Sequence, residues 1–202
     1  MTFRKEYKFR VTLSDYHKLQ NLLYRQGLKP LFNPRVINSV YFDTADLRLF
    51  HDSEEGVRPR KKVRIRWYDD EKRFFQENKI SSIEGRYKTT NELGCTSSEE
   101  QIAKKVFLDP MYGSVYPTLK ISYRRSYFSL KNLRVTFDEE ISYQKIEQNN
   151  GRIHFDPERV VEIKAPANCP EDFVEKYIPY PPVRFSKYSR GLLLFLGDLN
   201  EF

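Results

Sequence analysis

The stretch RKKVRIRW at 60–67 alternates Arg60, Lys62, Arg64 and Arg66 with Lys61, Val63, Ile65 and Trp67. Successive side chains of a β-strand point to opposite faces. As a strand, this stretch puts four cations on one face and mainly apolar groups on the other. The same period of two recurs along the chain. One face carries Arg4, Glu6 and Lys8, then Glu77 and Lys79, then Arg134, Thr136, Asp138 and Glu140, then Glu162 and Lys164. The opposite faces carry Phe9 and Val11, Val135 and Phe137, and Val161 and Ile163.

Taken singly, a basic strand face is solvated surface, because an antiparallel sheet commonly keeps one face in water. Several strands repeating the pattern with both signs change that reading. If the apolar faces pack outward against helices, the charged faces turn inward around a closed barrel. Unpaired buried ions are too costly to desolvate; a wide, hydrated interior holding a polyanion and a divalent cation would remove that objection. Arginine and lysine would neutralise phosphate oxygens, arginine bidentately. Glu and Asp oxygens suit Mg²⁺ or Mn²⁺.

Eight strand-like segments are recognisable: KEYKFRV, INSVYFD, KKVRIRWY, RFFQENKIS, PTLKISYRRSYFSL, LRVTFDEEISY, GRIHF and RVVEIKA. Helical signals mark the insertions. Ser14 is placed to cap a helix carrying Leu19, Leu22 and Leu23 that ends at Gly27. Ser98 with Gln101 resembles a capping box ahead of Ile102. Short helices are expected at TADLRLF, EDFVEKY and SKYSRGLLLFL, and YPPV at 180–183 reads as a rigid turn. The expected fold is α+β, mainly β: an eight-stranded antiparallel closed β-barrel with flanking helices, one domain over 1–202.

Composition narrows the function. The net charge of +7 comes from 35 Lys and Arg against 28 Asp and Glu, so the excess of cations coexists with many acids. Two cysteines, Cys95 and Cys169, without CxxC spacing speak against a disulfide framework or structural zinc. The charged start, MTFRKEYKFR, is no signal peptide, and the run LLLFL at 192–196 is far too short to span a bilayer. A cytoplasmic protein without a membrane segment is expected. The phosphate-binding loops GxxxxGK[ST] and GxGxxG are missing among only eight glycines, so side chains must handle phosphate. Aromatics make up 15% of the chain but fall mostly on the apolar faces. With no stacking motif, nucleic acid is not an expected partner.

The segments RKEYKF, SVYFDT followed by LRLFHD, RKKVRIRWY, FQENK, RYK, ISYRRSYF, LRVTFDEEI, VVEIK and RFSKYSRG occur in the order of a known family and cover nearly the whole chain. The sequence resembles the VTC catalytic domain, the polyphosphate polymerase branch of the triphosphate tunnel metalloenzymes. The resemblance implies a tunnel that binds ATP, triphosphate or polyphosphate and transfers the γ-phosphoryl of ATP to a polyphosphate chain. Carried onto matching positions, it implies catalytic roles for Arg64, Arg66, Lys79, Arg125, Arg134 and Lys187. Phosphate contacts fall to Lys8, Lys88, Tyr123, Arg184 and Ser186, and the metal ligand, for Mn²⁺ or Mg²⁺, is Glu162. Lys88 and Arg184 also suit plain surface positions, Glu6 is read as orienting Lys8, and Arg124 competes with Arg125. Arg60 and Lys62 are expected as rim charges and Lys61 as a solvated residue.

One departure is informative. Hydrolytic members of the superfamily begin with ExExK, whereas this chain has Arg4-x-Glu6-x-Lys8, which favours the polymerase branch and one catalytic metal. Family members with an inositol-polyphosphate sensor domain and membrane segments couple synthesis to transport; here a membrane partner protein would have to supply such coupling. The alternatives are a triphosphatase or polyphosphatase using the same residues, and a module that binds polyphosphate or nucleotide without turnover.

Overall fold

The computed structural model describes residues 4–69, 71–93, 98–146, 152–170 and 172–197, without the side chains of Arg4 and Lys72. Cys95 and the side chain of Arg4 therefore lie outside the described residues. Strand β1 (Arg4–Val11) leads into helix α1 (Leu13–Arg25), and β2 (Lys29–Asp43) into α2 (Arg48–Glu55). Three strands follow, β3 (Arg60–Tyr68), β4 (Glu71–Ser81) and β5 (Arg86–Leu93), then α3 (Glu99–Ile102) and β6 (Phe107–Asp109). The long strands β7 (Gly113–Leu130) and β8 (Leu133–Lys145) precede β9 (Ile153–Phe155) and β10 (Arg159–Pro166). Helices α4 (Asp172–Glu175) and α5 (Lys187–Leu196) close the chain.

The strand order is β1-β10-β8-β7-β2-β3-β4-β5, with β6 on β7 and β9 on β8. The expected mainly-β architecture with flanking helices is present. The expectation of closure is not met: among the described residues the eight-strand path has two ends, β1 and β5. Closure depends on which strand edges pair, and parity within a strand does not encode that. The end strand β5, RYKTTNEL, is almost wholly exposed, and the alternation did not pick it out as a strand.

Two compact units share these elements. The first comprises Met1–Val36, Tyr123–Ile141 and Phe155–Phe185; the second comprises Ile37–Ser122, Ser142–His154 and Ser186–Phe202. In the first, β1, β10 and β8 send Phe9, Val11, Val161, Ile163, Val135 and Phe137 against Tyr16, Leu19 and Leu23 of α1 and Val174 of α4. The i, i+3, i+7 spacing of the α1 residues makes the matching stripe. The N-cap of α1 is Thr12, not Ser14: its hydroxyl accepts from the Asp15 N–H at 3.1 Å. Because β1 runs to Val11, the helix starts at once and Ser14 already lies inside it. Gly27, at φ +97°, follows the helix as expected.

In the second unit, Val40 and Phe42 of β2 and Val63, Ile65 and Trp67 of β3 pack with Leu49 of α2 and Ile102 of α3. The capping box of Ser98 and Gln101 forms as read. Asp43, fully buried, closes the N-terminus of α2 by accepting from the Leu49 and Phe50 N–H groups at 2.8 and 2.9 Å. It also accepts from the Tyr188 hydroxyl of α5 at 2.5 Å. One carboxylate thus ties a strand end to two helices.

Candidate functional site

Each unit carries one charged sheet face. In the second unit, cross-strand register places Tyr41, Arg64, Glu77 and Thr90 side by side on β2, β3, β4 and β5. Residues directly opposite on antiparallel strands share a face. Arg64 donates through Nε and Nη2 to Oε2 of Glu77 at 2.8 and 2.5 Å, and through Nη1 to the Tyr41 hydroxyl at 2.8 Å. Lys88 donates to Oε1 of the same Glu77 at 2.5 Å, and Arg66 Nη1 lies 3.9 Å from Oε2. Glu77 is only 4% exposed. Burial pushes its carboxyl up, but Arg64, Arg66 and Lys88 outweigh that and hold it at about 2. It is therefore a fixed anion around which three cations are set.

The adjacent row is Lys62, Lys79 and Lys88, again in direct register. Like charges directly opposite each other on a sheet are destabilising. Lys62 donates to Ser186 Oγ at 2.7 Å, and Ser186 caps α5 by accepting from the Ser189 N–H. Lys187 is the first residue of that helix and half-buried. A helix N-terminus carries partial positive charge, which adds to the lysines.

In the first unit, the register runs Lys8–Glu162–Thr136 and Glu6–Lys164–Arg134 across β1, β10 and β8. Glu6 lies 3.3 Å from Lys8 Nζ, and Lys164 lies 3.2 Å from Glu162. Lys8 also donates to the Phe185 carbonyl at 3.0 Å, while its own carbonyl accepts from the Val183 N–H at 2.8 Å. These bonds fix the segment on either side of Arg184, whose side chain is exposed. Arg125 holds Asp138 by two parallel bonds of 2.6 and 2.7 Å, and its guanidinium lies 5.2 Å from the Tyr123 ring centroid. Burial pushes Arg125 down, but Asp138 and its neighbours raise it well above its ordinary value. Arg134 lies over Tyr127, 5.6 Å from the ring centroid. Arg124 is exposed, 3.9 Å from Glu140, leaving Arg125 as the residue on this polar face.

Glu162 is the candidate metal ligand. Among the described residues no three His, Cys, Asp or Glu side chains converge as a cation cage. Beside the Glu162 carboxylate, however, stands Thr136, buried with a hydroxyl that finds no hydrogen-bond partner among the described residues. One carboxylate and a neighbouring hydroxyl fit a hard cation that takes its remaining ligands from substrate phosphates, as Mg²⁺ commonly does.

Of the residues singled out from sequence, Arg64, Arg66, Lys79, Lys88, Ser186 and Lys187 thus belong to the second unit, and Lys8, Tyr123, Arg125, Arg134, Glu162 and Arg184 to the first. Sequence reasoning missed Tyr41, although SVYFDT alternates as the other strands do and its parity puts Tyr41 on the face opposite Val40 and Phe42. Lys62, read as a rim charge, is half-buried and bonds Ser186. Lys61 is not a solvated residue: it is ion-paired with the buried Asp109 on the apolar side of β3. A charged residue at an apolar parity position needed a partner, and only the fold brings Asp109 to it.

Comparison with known proteins places these faces in context. A family model described as the VTC domain matches residues 3–112 and 110–196. Comparison with curated proteins finds no match. Among solved structures, a candidate adenylate cyclase of Bacillus halodurans is similar at 14% identity and a TM-score of 0.57, over 91% of this chain and 95% of that one. A candidate adenylyl cyclase of Hippeastrum, described as revealing a dominant triphosphatase activity, is similar at 17% identity and a TM-score of 0.56, over 98% and 97%. A Pyrococcus horikoshii protein is similar at 15% identity and a TM-score of 0.51, over 96% and 100%. At such identities the likeness is one of fold.

Proposed function

The chain belongs to the VTC domain family, and from that premise we propose that it is a metal-dependent phosphotransferase that binds ATP or triphosphate and passes the γ-phosphoryl to a polyphosphate chain. The whole chain, both units included, is read as one domain for this purpose. The observation that carries the reading is the row Lys62, Lys79 and Lys88 beside Arg64 and Arg66. Such a row costs stability in the fold, and a polyanion is the ligand that would offset it.

Phosphoryl transfer passes through a state with charge spread over three equatorial oxygens, so catalysis is mainly positioning and electrostatic stabilisation. Arg64, Arg66, Arg125 and Arg134 would clamp phosphate groups, with Lys79 and Lys187 as point charges. Lys8, Lys88, Tyr123, Arg184 and Ser186 would bind further phosphate oxygens. Glu162 would hold Mn²⁺ or Mg²⁺, whose charge polarises the bound phosphates. No protein nucleophile is called for, because a terminal phosphate oxygen is itself ionised at neutral pH.

Triphosphate hydrolysis is the second reading, favoured by the activity described for the Hippeastrum protein of the same fold. Against it stands the first strand, where Arg4 occupies the place of the first acid of ExExK. Incubation with ATP and Mn²⁺ decides: polyphosphate chains support the transferase, released phosphate alone supports the hydrolase. Neither product, with Glu162→Ala indistinguishable from the parent protein in metal binding, overturns both.

A further inference from the structure

Arg64 donates to both Glu77 and Tyr41. A phosphate oxygen that takes the place of either bond on this guanidinium displaces that partner. Glu77 cannot yield at neutral pH, since it also anchors Lys88 and stands beside Arg66. Tyr41 can. Its ring is stacked on Tyr188 of α5, with centroids 4.8 Å apart and planes at 10°. The Tyr188 hydroxyl is committed to Asp43, so the stack holds the Tyr41 ring while its own hydroxyl accepts from Arg64.

Resting on the phosphate-binding reading above, we propose that Tyr41 is the exchangeable anion of this face: its phenolate oxygen occupies Arg64 before phosphate binds, and takes up a proton when a phosphate oxygen replaces it. The bond formed is phenol O–H, and the proton comes from solvent. The charged groups around the phenol favour this. Lys62, Arg64 and Arg66 come from β3, Lys79 and the acid Glu77 from β4, Lys88 from β5 beyond Glu77, and α5 contributes the neutral Tyr188, whose hydroxyl is held by Asp43. Burial pushes the Tyr41 phenol up, but Arg64, Arg66, Lys79 and Lys62 outweigh burial and bring it down to about 7. Proton uptake on binding means that affinity falls as pH rises above that value.

The test needs no turnover. Of the fourteen tyrosines, one should give a near-ultraviolet tyrosinate band with a midpoint of about 7 in the ligand-free protein, and Tyr41→Phe should remove it. Ordinary phenols ionise near 10 and stay silent. At pH 8, saturation with sodium tripolyphosphate should bleach the band. Calorimetry in two buffers should then show about one proton more taken up by the parent protein than by Tyr41→Phe. Above pH 7, tripolyphosphate affinity relative to that variant should fall about tenfold per pH unit. A band that is missing, or that persists under saturating tripolyphosphate, overturns the proposal and leaves the phosphate reading standing. A titrating band in a protein that binds no tripolyphosphate overturns both.

Discussion

Asp138 is fully buried and gives both carboxylate oxygens to Arg125. Removing one partner of a buried pair leaves an uncompensated charge and typically costs about 3–5 kcal/mol. Asp138→Ala should therefore lower the unfolding free energy by about that amount, measured by urea denaturation; an unchanged midpoint would contradict the pairing. Glu77 makes a different prediction, in pH. Its folded value of about 2 lies below the usual 4.5, so it stabilises the fold above the unfolded value, and that contribution is lost as pH falls through the folded one. Glu77→Gln should be less stable than the parent at neutral pH, with the gap closing between pH 4.5 and about 2. A gap that stays constant with pH would refute the assignment. Arg64 and Arg66 on β3 and Glu77 on β4 are each legible as polar-face residues because alternation marks the polar side of each strand. The bond from Arg64 to Tyr41 is not, because it links strands whose register only folding sets.

At the level of elements, α5 shows how a helix is seated by a small residue. A Cβ added at Gly191 would meet Tyr143 Cδ1 at 2.5 Å and Leu119 Cδ2 at 2.7 Å, and both side chains are fully buried. Alanine favours helix by up to about 1 kcal/mol over glycine, yet overpacking a rigid core typically costs about 1–3 kcal/mol. Gly191→Ala should thus destabilise, seen as a lower thermal midpoint; a raised midpoint would mean the helix can shift away. The helix positions were readable from Leu19 and Leu23, from the Ser98 capping box and from the apolar run before Gly197. The cap of α1 was misplaced by two residues because the end of β1 decides it. The strand β5 was invisible because a polar edge strand lacks the apolar alternation that marks its neighbours.

For the whole molecule, the charge of +7 supports binding of polyanions that salt should weaken. The screening length shrinks from about 30 Å at 0.01 M to about 3 Å at 1 M. Tripolyphosphate affinity, followed by calorimetry, should decline steadily over that range; salt-independent binding would point to recognition without these lysines. No helix among the described residues is long and apolar enough to cross a membrane. The sequence by itself determined which residues can share a strand face, since side-chain direction in a strand follows from parity alone. Parity was enough for the mainly-β architecture, while caps and apolar spacing marked the helices and the ordered motifs carried the resemblance to the family. Only the tertiary structure decided that the strand path has two ends among the described residues, that Lys62 reaches Ser186, that Lys61 reaches Asp109, and that Arg64 donates to both Tyr41 and Glu77. Those contacts depend on register and on which strand lies beside which, and parity within one strand carries no information about its neighbours.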